Sequence, residues 1–175
     1  MSYNELLSQL AQRWETTPEH LENLMNKIAY HESGMTMDPT IKQYSGGPGR
    51  GLFQFEEGEG QGGATAANRL IKTLGETPDW LAPHVDASGR VMSIDASILT
   101  PEQQRMMFLG NYRQHPEASF KGVTVENLPQ FWGKYHWAGD VPGSEKYNKK
   151  INSFIDTQNY LQTKEKTAEE KAFGF

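Results

Sequence analysis

The sequence predicts a mainly α-helical domain, on three observations. Apolar residues recur at three- and four-residue spacing in six separate stretches, residues that start and stop helices bracket most of them, and the long aperiodic stretch is rich in glycine rather than alternating. That last feature predicts loops with at most a small irregular or β-hairpin element, at a place where a cleft could be built.

The clearest helix spans residues 18–33, where Leu21, Leu24, Met25 and Ile28 share one face. Thr16 or Thr17 caps it, Pro18 sits in the first turn where its missing N–H costs nothing, and Gly34 offers a left-handed stop. Upstream, Leu6, Leu7, Leu10 and Trp14 predict a helix over residues 3–14, packed on the core or, alternatively, docking a partner. Periodicity then lapses from Gly34 to residue 63. It resumes at Ala67, Leu70, Ile71 and Leu74, predicting a helix over 64–74 that ends at Gly75. Residues 78–99 are mixed, with Ser88-Gly89 marking a turn between short extended pieces. Thr100-Pro101-Glu102-Gln103 reads as a capping box launching a helix through Met106, Met107, Leu109 and Tyr112, the methionines serving the core. A further helix carries Leu128, Phe131, Trp132 and Tyr135, with Pro129 near its start and Gly139 as its stop. Ser144 caps a last one carrying Tyr147, Ile151, Phe154 and Ile155. From Thr163 the chain is charged and ends Ala-Phe-Gly-Phe, a composition that predicts a flexible tail whose phenylalanines are free to meet a neighbour. No repeat or linker interrupts the pattern, so residues 1–162 are expected to form one catalytic domain and residues 163–175 a tail.

Composition narrows the chemistry. At 175 residues, with 36% hydrophobic and 22% charged, the chain has the make-up of one soluble globular domain. No apolar run approaches the roughly 20 residues of a membrane span, and the first residues lack the order of a secretory signal, so no export route is expected from the chain itself. Zero cysteines removes thiolate nucleophiles and Cys-ligated metals. A net charge of −5 argues against nucleic acid or anionic membrane as partner. The five histidines, His20, His31, His84, His115 and His136, form no metal-binding spacing, so neither a metal site nor a cofactor is expected.

One carboxylate is out of place. Continuing the apolar face of the 18–33 helix by three to four residues from Ile28 reaches His31 and Glu32, putting an acid on the core side. A carboxyl group in apolar surroundings keeps its proton to higher pH than a solvated one, which is what a general acid requires. The competing reading is a glutamate exposed at a fraying helix end beside Gly34.

The surrounding residues resemble a known pattern. His31-Glu32-Ser33-Gly34, then Tyr44-Ser45, then Gly51-Leu52-Phe53-Gln54-Phe55 resembles the signature of soluble lytic transglycosylases and goose-type lysozymes, where a helix-ending Glu-Ser precedes a Gly-Leu-Met-Gln segment. The resemblance implies a lysozyme-like helical domain in which Glu32 is the acid/base, Ser33 supports it, Ser45 is the loop serine, and Phe53 and Gln54 line the cleft. Phe53 stands where the family has methionine, and the loop between Glu32 and Ser45 is a few residues longer than usual. Residues 132–139 look like the family's Ala-Tyr-Asn-Ala-Gly segment, whose aromatic residue closes over the substrate. Aligned on Ala138-Gly139, His136 and Trp137 take the tyrosine and asparagine places and Tyr135 is displaced by one, so these three share the substrate-binding expectation. Trp14, Trp80, Trp132 and Trp137 are further candidates for stacking on sugar rings. The helix opening Thr-Pro-Glu-Gln-Gln is similar to one in phage-borne members.

The resemblance implies action on peptidoglycan glycan strands. Ordinary glycosidases need two carboxyl groups about 5–5.5 Å apart when retaining and about 6.5–9.5 Å apart when inverting. Lytic transglycosylases are similar in fold but use one, because the substrate's N-acetyl group stabilises the developing cation and its C6 hydroxyl attacks in place of water, leaving a 1,6-anhydromuramoyl end. The alternatives are a hydrolytic muramidase drawing a base from Glu56, Glu57 or Glu59, and a non-cutting structural or wall-binding component of a phage particle. With no signal expected, delivery to the bacterial wall falls to a phage virion, with its tail proteins as partners, or to release from host cytoplasm.

Overall fold

The computed structural model describes residues 1–136 and 141–172, which carry six α-helices and one two-stranded antiparallel sheet. They fall into two compact units, Met1–Gly122 and Val123–Phe175. No helix among the described residues is long and apolar enough to cross a membrane.

In the first unit, α1 (Tyr3–Arg13) starts at a reciprocal cap the periodicity did not reveal: the Ser2 hydroxyl accepts from the Glu5 N–H while the Glu5 carboxylate accepts from the Ser2 N–H. Thr17 caps α2 (Pro18–Glu32) by accepting from the His20 N–H. Leu6, Leu7 and Leu10 of α1 and Leu21, Leu24, Met25 and Ile28 of α2 are buried. Each such side chain contributes roughly 1.5–3 kcal/mol over leaving it in water, which is why these stripes determine the packing. The next helices, α3 (Gly62–Leu74) and α4 (Pro101–Arg113), make the most intimate contact in the unit. A Cβ at Gly110 would sit 2.5 Å from the Leu70 Cα, so only glycine lets the two backbones come this close. The Thr100–Gln103 capping box of α4 forms as the sequence indicates.

Two irregular segments complete the unit. Residues 34–61 contain the sheet, β1 (Gly49–Arg50) paired with β2 (Phe55–Glu56), Gly49 opposite Glu56 and Arg50 opposite Phe55. Residues 78–99 contain two short 3-10 turns, Ala82–His84 and Ala96–Ile98, and a single bridge between Val85 and Val91 around the Ser88-Gly89 turn.

The second unit is built on α5 (Leu128–Tyr135) and α6 (Glu145–Ala172). Trp132 packs on Phe154 with ring centroids 5.0 Å apart, and Gly133 leaves room for Ile151 and Tyr147. The Ser144 hydroxyl accepts from the Tyr147 N–H at the start of α6. From there α6 runs through the charged segment to Ala172, although none of the described side chains past Gln158 is buried. Along that stretch the Thr163 and Thr167 hydroxyls bond back one turn, and Lys164 lies over the Tyr160 ring. Gly139, the expected stop of α5, and Phe173 and Phe175 of the tail lie outside the described residues.

Candidate active site

Glu32 is the last residue of α2 and is half-buried. Its carboxylate lies within electrostatic reach of the Tyr112 phenol of α4, which is wholly enclosed. Burial pushes the Tyr112 hydroxyl well above its ordinary range, and the Glu32 charge adds to that push. Ser33 is fully buried just beyond the helix end and folds the chain back on itself. Its hydroxyl accepts from the Met37 N–H at 2.9 Å, and its carbonyl accepts from the Thr36 hydroxyl at 2.7 Å.

Past Thr36 the chain is shaped by polar contacts in place of a core. Met35, Met37, Ser45 and Gln54 all take positive φ, from 49° to 68°, which side-chain-bearing residues adopt only when their surroundings enforce it. The enforcing groups can be named. Gln104 of α4, with no exposed surface, accepts from the Leu52 N–H at 2.7 Å and donates to the carbonyls of Pro39 and Leu99 at 2.9 and 3.0 Å. It thereby fixes the hairpin turn against the chain leaving the Glu32 helix. Gly51 is obligatory there twice over, since its φ is +72° and a Cβ would collide with the Gln104 amide. Farther out, the Gln43 side chain accepts from the Gly49 N–H, and Arg50 donates to the carbonyls of Gly47 and Gly49. Arg50 also pairs with Glu57 at 2.9 Å and lies 3.9 Å from Asp95, which Lys42 approaches at 3.8 Å. The product is a closed loop with Tyr44 at 95% exposure beside an exposed Ser45.

The expected site residues therefore fall into four kinds of place. Glu32, Ser33, Ser45 and Gln54 belong to the first unit, on α2 and the segment that follows it. Gln54 turns its amide back onto its own hairpin, donating to the Gly51 carbonyl at 2.9 Å. Phe53, expected beside the cleft, is instead 1% exposed and stacked on Phe108 with centroids 4.4 Å apart. Its ring has no surface to offer a sugar, because the tight turn at Gly51 aims it into the aromatic cluster of Phe55, Phe108, Tyr112 and Phe120. Tyr135 and His136 belong to the second unit, at the end of α5, with Tyr135 half-buried between Phe131 and Lys134. Trp137 lies outside the described residues. Of the other tryptophans, Trp14 and Trp132 are core residues, and only Trp80 keeps a partly open face.

No protein-family profile, curated protein or solved structure matches this chain.

Sequence reasoning missed Gln104 and the position of Tyr112. A signal existed for Gln104. Gln104 falls three and four residues before Met107 and Phe108, on the buried face of α4, and a polar residue on such a face marks a bonding task just as Glu32 does on α2. Among the described residues no group of three or more His, Asp or Glu side chains is gathered as a metal site.

Proposed function

We propose that the chain is a lytic transglycosylase of the lysozyme superfamily, cleaving the β-1,4 bond between N-acetylmuramic acid and N-acetylglucosamine in peptidoglycan with Glu32 as acid and base. The observation that supports this reading best is the half-buried Glu32 carboxylate at the end of α2, next to the enclosed Tyr112 phenol, followed by a polar-braced hairpin whose turn is Gly51-Leu52-Phe53-Gln54. In the first step Glu32 gives its proton to the glycosidic oxygen as the C1–O4 bond breaks, and the substrate's N-acetyl oxygen stabilises C1. In the second, the Glu32 carboxylate takes the proton of the C6 hydroxyl while that oxygen bonds to C1, closing the 1,6-anhydro ring and restoring the acid. A single carboxyl group serves both steps, so a second one is not required.

The hydrolytic alternative needs a base from the acidic stretch after the hairpin. There Glu57 is engaged by Arg50, and Glu56 and Glu59 are exposed, an arrangement that favours solvated charge over a positioned base. Product analysis on purified murein is the test. Wild-type protein is expected to yield anhydromuramoyl ends, and Glu32→Gln to lose a factor of about 10²–10⁴ or more in rate. Reducing ends that incorporate labelled water would replace transglycosylation with hydrolysis. Full activity in Glu32→Gln would remove the proposal altogether.

A further inference from the structure

A concavity lies in the first unit, where the ends of α1 and α4 meet residues 115–119. It is a pocket of about 470 Å³ whose lining includes Arg13, Trp14, Tyr112, Arg113, His115 and Glu117. Arg13 and Arg113 each stand in the last turn of a helix, where a cation offsets the carbonyl dipoles. That accounts for one charge at each end. It does not account for both ends converging on one concavity in a chain whose net charge is −5. Among the described residues neither guanidinium has a carboxylate within ion-pairing distance, and Glu117 is the one acid in the lining.

The histidine stands beside them without adding a full charge. His115 Nδ1 accepts from the backbone N–H groups of Glu117 and Ala118 at 3.2 and 3.0 Å, so the ring proton resides on Nε2. Partial burial, and then the nearby Arg69 guanidinium, hold the imidazole below its ordinary pKa. Arg69 is itself fixed by donating to Asn111 at 2.8 Å. The pocket thus combines two guanidiniums that have no carboxylate partner among the described residues with an imidazole beside them, and Trp14 contributes an apolar edge.

We infer that this pocket binds an oxyanion group, a carboxylate or phosphate, carried on a larger molecule. Guanidinium forks match the planar or tetrahedral oxygens of such groups, and the volume exceeds what a free ion needs, falling within the range of small-molecule sites. The assignment stands apart from the role given to Glu32. Carboxylates of murein stem peptides and phosphates share this chemistry, and two probes separate them.

Arginine Nε–Hε resonances of the full chain are followed by NMR at constant ionic strength, during titration with inorganic phosphate and, separately, with a murein stem tetrapeptide. Saturable shifts at Arg13 and Arg113 are expected with at least one probe, and the tighter probe identifies the source. The Arg13→Gln/Arg113→Gln pair should weaken binding at least tenfold with an unchanged melting profile, while the matching pair of lysine substitutions, which keeps the charge and loses the fork, should fall between that pair and the wild type. Shifts that stay linear with both probes, or saturation that the glutamine pair retains, would overturn the inference.

Discussion

The two irregular segments of the first unit use the same device with different consequences. Residues 78–99 are held by Asn68 of α3, whose amide donates to the Ala64 and Val91 carbonyls and accepts from the Val91 N–H at 2.9, 2.8 and 2.9 Å. Residues 34–61 are held by Gln104 of α4, which accepts from the Leu52 N–H and donates to the Pro39 carbonyl, its remaining bond going to Leu99 just ahead of its own helix. In each case a helix side chain supplies the partners a neighbouring strand would otherwise give. The Asn68 segment contains no side-chain-bearing residue at positive φ, whereas the Gln104 segment contains four of the five in the described chain. Asn68 is only half-buried, while Gln104 is fully enclosed. One segment is an ordinary connection, and the other stores backbone strain directly after Glu32, which is where a site that must hold a fixed shape is expected to spend stability.

The contrast is tested hardest at Gln104. Gln104→Ala leaves two buried backbone groups, the Leu52 N–H and the Leu99 carbonyl, without partners at about 1–3 kcal/mol each before relaxation, and the part-buried Pro39 carbonyl at less, so a loss of about 3 kcal/mol is expected in chemical denaturation. Murein cleavage should fall further than the unfolded fraction explains, because the turn carrying Gln54 loses its tie to the chain beyond Ser33. Activity that simply tracks the folded fraction would show that the braced segment has no part in the site.

How far these regions could be read in advance depends on what holds them. Helices α1 to α5 announce themselves because burial of one face imposes a 3.6-residue period on the sequence, and their caps need specific residues at fixed places. The described side chains of the outer half of α6 form no buried face, so it leaves no such period, and a helix with local contacts such as Lys164 over Tyr160 reads as a charged tail. Glu32 was legible because a carboxylate on an apolar face is an anomaly against that period. Phe53 was misplaced because alignment to a motif says which residue occupies a position and not which way its side chain points. That direction is set by the left-handed turn at Gly51 and by the space beside Phe108. The Gln104 brace joins residues 52 and 65 apart in sequence, and no local spacing encodes such pairings.

Asn68→Ala is the milder counterpart. Its bonds are partly open to water, so replacement partners are at hand, and a cost of about 1–2 kcal/mol is expected. Murein cleavage per folded molecule should be unchanged, since the segment it holds carries no proposed site residue. Should this variant reduce activity as far as Gln104→Ala at matched stability, the distinction between a connecting segment and a site-bearing one would fail.

The smallest effect is expected where the two segments touch, at Asp95. Burial alone would push this carboxyl up, but the Ser97 hydroxyl and N–H, bonded to it at 2.5 and 2.9 Å, outweigh burial with Lys42 and Arg50 behind them and hold it below its ordinary 3.8. A folded-state pKa that is depressed means the unfolded chain binds the proton more readily. The stabilising contribution is therefore complete above the unfolded value and is lost as pH falls through the folded one. Only the base of the Tyr44 loop rests on these contacts, so the response should be local: as pH falls below the ordinary 3.8, hydrogen-exchange protection at the Gln43, Gly49 and Gly51 amides should decline before that of α3 and α4. Asp95→Asn should show the low-pH protection at those amides already at neutral pH, with little further change on acidification. An identical decline in wild type and variant would assign the acid response to some other carboxylate and leave Asp95 without a part in bracing the loop.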